Sequence, residues 1–334
     1  MLLATELLTP EERTAALDAI PWRDDVRELT LKVLNTMENR TIDLIDVAIG
    51  PDSHGRAAIV AAFEGLDALQ QATMDLSESV ARRAYLSRVE VVDPLGEGAP
   101  LPESVREKYR RRQARLSIED AAVRTASASD HLANAYLRLA WEANIASAPE
   151  VMACGFDPTE PEPESWTSVP KCKAGLDSLD QRPLALLPSF RLTPRFRRYA
   201  SATKVRSVRR LRDEVVHRAR PAYRESVPFG RTSLWAQGEF SFNIEDTEQP
   251  LEDPSFPSFE ERREEIGAAI REGVAFGEEL WEVTRQWLGT VGITVRHVSG
   301  YVTEISTTLH HDVPVPKYPR GQRDPAPFVT ETQA

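Results

Sequence analysis

Apolar positions along the chain recur mostly at helical spacing. In SFEERREEIGAAIREGVAFGEELWEVTRQWL, Ile266, Ile270, Val274, Trp281 and Leu288 roughly mark one buried side. Ser258 and Glu261 open that segment as a capping box. Gly267, Gly273 and Gly277 weaken it intrinsically, which predicts close packing against a neighbour. The alanine-rich SIEDAAVRTASASDHLANAYLRLAWEAN predicts the strongest helix, capped near Ser117 and Asp120, with ESVREKYRRRQARL as a separate, shorter basic helix before it. Upstream, Thr9, Pro10 and Glu12 predict a helix start, followed by one or two helices in DDVRELTLKVLNTMENRTIDLIDVAI and another from His54. DPLGEGAPLP reads as a break.

Eight prolines fall between Pro149 and Pro194, which predicts an insertion or lid rather than a compact element. Helix resumes near Ser201 and is ended by Pro221. PFGRTSLWAQGEFSFNI reads as irregular with a short strand pair, ITVRHVSGYVTEISTTLHH as strand or helix, and the tail from Val313 as disordered. The expected fold is all-α: a helical bundle with extra N-terminal helices and a proline-rich insertion. The expected division is an N-terminal helical region 1–110, a bundle 111–290 with the insertion at 148–195, and an extension 291–334.

Composition narrows the class. The 334 residues contain no apolar run of membrane-spanning length, and the start MLLATELLTPEE lacks the features of a signal peptide. Cys154 and Cys172 are the only cysteines, so neither a disulfide framework nor a structural zinc site is expected, and a cytoplasmic chain is. Charge is unevenly placed. Arg191 to Arg224 holds twelve basic residues against Asp213 and Glu214, a net of +10, which leaves −21 for the remainder of a chain that totals −11. Such a block either binds a polyanion or is a solvated helix face neutralised by acidic neighbours.

No phosphate loop, dinucleotide fingerprint, HExxH or GxSxG occurs. His310, His311 and Asp312 are metal-ligand types, but adjacent side chains point apart and no third site is evident, so no metal and no cofactor are expected. Nothing near either cysteine resembles a thiolate-activating pair. The basic block carries the remaining chemistry. On a helix, Val205, Val208, Leu211, Val215 and Ala219 form one apolar stripe and Arg212 falls inside it, an expensive place for a guanidinium without an anionic partner. His217 projects about 140° away from Arg212, so the two share a pocket only if the helix distorts near Pro221 or two copies of the chain meet.

LRDEVVHRARP resembles the motif of the HEPN superfamily: an Arg, four to six residues, then a His. Arg212 is followed by Asp213, and four residues separate it from His217. The spacing recurs at Arg124 and His131, on one face of the preceding helix. The resemblance covers about residues 116–290 less the insertion. It implies a HEPN-like bundle that acts as a homodimer and as a metal-independent endoribonuclease leaving 2′,3′-cyclic phosphate ends, in the role of a toxin or defence effector. His217 would move the proton and Arg212 would stabilise the phosphate charge, with Asp213 orienting a motif side chain. Arg209, Arg210, Arg218 and Arg220 would hold the RNA backbone, and Asp130 with His131 would give outer support. Other members of the superfamily are non-catalytic interaction or scaffold proteins, and some work beside a separate antitoxin. The chain shows no nucleotidyltransferase motif, so any such regulatory partner would be a separate protein.

Overall fold

A computed structural model describes residues 9–18, 20–37, 40–88, 103–159, 166–182, 193–217, 221, 223–224, 227–228, 248–249, 255–299, 302–307 and 329–331. These are predominantly helical, and the fold is all-α in its body. Ten helices are described: α1 (Pro10–Asp18), α2 (Arg23–Met37), α3 (Arg40–Ile49), α4 (His54–Arg88), α5 (Glu103–Glu142), α6 (Ala148–Ala153), α7 (Val169–Asp180), α8 (Pro194–Ser201), α9 (Thr203–His217) and α10 (Phe259–Thr290). No described helix is long and apolar enough to cross a membrane.

Both capping boxes expected at Thr9 and Ser258 form. At α1 the Thr9 amide donates to Glu12 Oε2 at 2.9 Å and the Glu12 amide to Thr9 Oγ1 at 3.2 Å. At α10 Ser258 and Glu261 form the same reciprocal pair, at 2.6 and 3.1 Å. The start expected at Ser117 is absent. α5 runs unbroken from Glu103 to Glu142, and Ser117 is buried inside it. Ile118, Ala121 and Ala122 are buried around that point, so packing carries the helix through a residue that would otherwise favour a cap.

The chain forms two compact units, each assembled from three stretches. The first unit takes residues 1–21, 71–125 and 207–269. Its buried residues include Ala81, Ile118, Val208, Leu211, Phe259 and Ile266. Tyr223, after α9, is fully buried with its ring 5.2 Å from that of Phe259. Arg224 ties the same segment to the start of α10. Its amide donates to the Pro257 carbonyl at 3.0 Å and its guanidinium pairs with Glu261 at 3.1 Å.

The second unit takes residues 22–70, 126–206 and 270–334. Aromatic rings from α5, α8 and α10 stack in its core: Tyr136 on Phe196 and Tyr199 on Phe276, each at 4.5 Å between centroids. Two of the three α10 glycines expected to pack closely, Gly273 and Gly277, do so. A Cβ on Gly273 would meet Leu69 at 2.9 Å, and one on Gly277 would meet Leu66 at the same distance. The proline-studded stretch also contributes to this core. α6, α7 and α8 bury Val151, Cys172, Leu176, Leu179 and Phe196, and α7 meets the end of α6 so closely that a Cβ on Gly175 would sit 1.9 Å from the Ala153 carbonyl oxygen. In its described residues that stretch is packed helix, not an open lid.

Strands β1 (Val227–Pro228) and β2 (Glu248–Gln249) form a short antiparallel pair. After α10 the chain takes the strand alternative. β3 (Ile293–Ser299) and β4 (Val302–Thr307) pair antiparallel, with Ile293 and Val295 buried. β5 (Val329–Glu331) adds parallel to β4, which places three residues of the tail expected to be disordered in the sheet. The predicted break at 93–102, His310, His311 and Asp312, and most of the tail lie outside the described residues.

Candidate nucleic-acid interface

The basic block forms α8 and α9. Thr193 caps α8, accepting from the Phe196 amide at 3.3 Å, and the Thr193 amide is held by the Tyr136 hydroxyl at 2.9 Å. α9 is helical through His217 and buries Val205, Val208 and Leu211, the first three members of the predicted stripe. Val215 is half-buried and Ala219 lies outside the described residues.

Arg212 departs from the expectation of a buried guanidinium. Its side chain keeps 38% of its surface exposed and Nη1 lies 3.0 Å from Asp213 Oδ1. A long stem allows this: its methylenes follow the apolar face while the charged head reaches water. Arg210 is 81% exposed and pairs loosely with Glu214 at 3.7 Å. Arg209 is half-buried. The His217 side chain, Arg218 and Arg220 lie outside the described residues. Because α9 stays helical to position 217, Arg212 and His217 remain about 140° apart around it. Position 217 falls within about 20° of Arg210 instead. The structure brings Arg212 together with Asp213, then, and α9 carries no distortion up to His217 that turns Arg212 toward it.

The two residues named for outer support are engaged in the second unit. Asp130 Oδ1 accepts from the Val169 amide at 2.9 Å, which fixes the first residue of α7. His131 Nδ1 lies 3.1 Å from Glu64 Oε2, and its ring meets Trp166 edge-on at 5.0 Å. Arg124, the partner of His131 in the second motif match, pairs in the first unit with Asp75 at 2.8 Å.

Sequence reasoning missed the polar face of α5. Asn134 exchanges hydrogen bonds with the Thr167 backbone, its Nδ2 donating to the carbonyl at 2.8 Å and its Oδ1 accepting from the amide at 3.0 Å. Arg138 is fully buried and lies 5.1 Å over the Phe156 ring, and its Nη1 sits 3.4 Å from His54 Nδ1. The available signal was Asp130, Asn134 and Arg138 repeating every fourth residue within an otherwise apolar run. In the first unit Arg115, also fully buried, lies 3.5 Å from Glu119.

Cys154 and Cys172 are buried free thiols. Burial, reinforced by Glu150, pushes Cys154 up to about 12, and burial raises Cys172 as well, so neither is a thiolate at neutral pH. Among the described residues no group of His, Cys, Asp or Glu side chains is arranged to hold a metal ion. What α9 offers chemically is a set of water-accessible guanidinium groups, partly offset by Asp213 and Glu214. No family model matches the chain, and neither a characterised protein nor a solved structure matches it.

Proposed function

We propose that the chain contacts single-stranded RNA through α9 and cleaves it by HEPN-type, metal-independent chemistry when two copies meet. The observation that carries this reading is the exposed Arg212 guanidinium, set beside Asp213 on a helix that continues to His217. Arg212 offsets charge building on the phosphate, and Asp213 limits the rotamers from which it does so. His217 takes the 2′-hydroxyl proton, the 2′ oxygen displaces the 5′ oxygen at phosphorus to leave a 2′,3′-cyclic phosphate, and the departing 5′ oxygen takes up a proton to leave as a 5′-hydroxyl. The angle between Arg212 and His217 on a regular helix favours a site completed by a second protomer.

A second reading is a non-catalytic helical interaction protein. The pairs Arg212–Asp213 and Arg210–Glu214 favour it, since the motif arginine and its neighbour on α9 then each answer a carboxylate of their own helix. Incubation of RNA pools with EDTA present, comparing wild type with His217→Ala and Arg212→Ala, decides between them. Cyclic-phosphate products from wild type that vanish in both folded variants support the nuclease. Intact RNA with a well-folded wild-type dimer supports the interaction protein.

A further inference from the structure

In the first unit the chain after α9 sets a tyrosine inward against the start of α10. Tyr223 is fully buried with its ring 5.2 Å from that of Phe259, and the neighbouring Arg224 amide donates to the Pro257 carbonyl at 3.0 Å. The Tyr223 hydroxyl has no hydrogen-bond partner among the described residues. Arg262, one turn on from Phe259 along α10, carries a second such atom. Its Nε is buried without a partner, while its Nη1 is engaged by Glu265 Oε2 at 2.5 Å. Leaving a buried hydroxyl or N–H unpaired is costly, so native interiors pair nearly all such groups, with protein or with ordered water.

The carboxylates of this part of α10 are committed to other donors. Glu265 accepts from Ser207 as well as from Arg262 Nη1, and Glu261 accepts from the Ser258 amide and from Arg224. Tyr223 sits in a mixed field. Burial raises its hydroxyl above the usual phenol range, Glu119 of α5 adds to the rise, Arg262 and Arg115 oppose it, and Glu214 of α9 adds to it again. Arg115 and Glu119 are themselves buried and 3.5 Å apart. These charges decide what can bond the hydroxyl. The carboxylates disfavour an anion, and the guanidinium groups disfavour a metal cation. An Nε–H only donates, so its partner must accept. The partner is therefore neutral, an acceptor, and small enough for a fully buried position. Water meets these conditions, and interior waters typically make about three hydrogen bonds to such groups.

We propose that the first unit holds an internal water that accepts from Arg262 Nε and bonds the Tyr223 hydroxyl, joining the segment after α9 to α10. The direct test is a crystal structure of the full chain at a resolution that shows ordered water. The expected result is a water oxygen within about 3.2 Å of both atoms. A protein atom bonded to the hydroxyl, an ion in that position, or no density beside it overturns the proposal.

Tyr223→Phe tests it in solution through the sign of a stability change. The variant removes one oxygen and keeps the ring on Phe259. With water bonded to the hydroxyl, its loss should raise the unfolding equilibrium constant in urea about fivefold, the effect of losing one ordinary hydrogen bond. With nothing bonded to it, removing a buried hydroxyl lowers that constant. An unchanged or lower constant overturns the internal water.

Discussion

The arginines of α5 and those of α9 belong to the same residue type and lead opposite lives. Arg115 and Arg138 are fully buried, whereas Arg210 and Arg212 keep 81% and 38% of their side chains in water. The buried pair answers groups inside the protein: buried Glu119, one turn along the same helix, for Arg115, and His54 with the Phe156 ring, on other parts of the chain, for Arg138. The exposed pair answers carboxylates of its own helix. A guanidinium taken out of water must be matched by its surroundings, so a buried arginine marks architecture. An exposed one costs little and is free to meet a phosphate. The arginines of the basic block on α9 thus lie at the surface, while Arg115 and Arg138 of α5 lie in the core.

The largest effect that would break this comparison is expected at Arg138. Arg138→Ala removes a fully buried side chain and its contact with His54, and should cost about 3 kcal/mol in urea unfolding. Arg115→Ala leaves Glu119 buried with one cation fewer and should cost about 2 kcal/mol by the same measurement. Arg212→Ala should change stability by no more than about 0.5 kcal/mol, because Asp213 is half in water and screened, yet should abolish RNA cleavage. A stability loss at Arg212 as large as at Arg138 would erase the distinction.

The smallest effect is at Glu261, exposed, whose carboxyl is held below its usual range by the Ser258 amide and by Arg224. A depressed carboxylate contributes stability above the unfolded carboxylate range of about 4.3 and loses it as pH falls through the folded value. The difference in melting temperature between wild type and Glu261→Gln should therefore be present at pH 7 and vanish near pH 2.

Much of the fold was legible in the residues because it rests on local rules. The capping boxes at Thr9–Glu12 and Ser258–Glu261, the buried stripe of α10 and its close-packed glycines follow from spacing and residue type alone. Ser117 failed as a helix start because tertiary burial outweighed its capping preference. The packing of α6, α7 and α8 was hidden because prolines there sit in first helical turns, as at Pro149, Pro170 and Pro194, where a missing amide costs nothing. At the candidate site, the helix and the exposed Arg210 were legible. The exposure of Arg212 was not, because a helical projection fixes where a Cβ points and not where a long flexible side chain ends. Nor were the contacts of His54 legible, since its partners come from residues 84 and 104 positions away.

The claim that α9 completes its site with a second copy is tested most directly by complementation. Arg212→Ala and His217→Ala chains, each inactive alone, are mixed under exchange and assayed on RNA with EDTA present. If Arg212 of one protomer works with His217 of the other, the mixed dimer rebuilds one intact site and cyclic-phosphate product returns. If the mixture stays as inactive as its parts while wild type cleaves, the two residues do not act across a dimer.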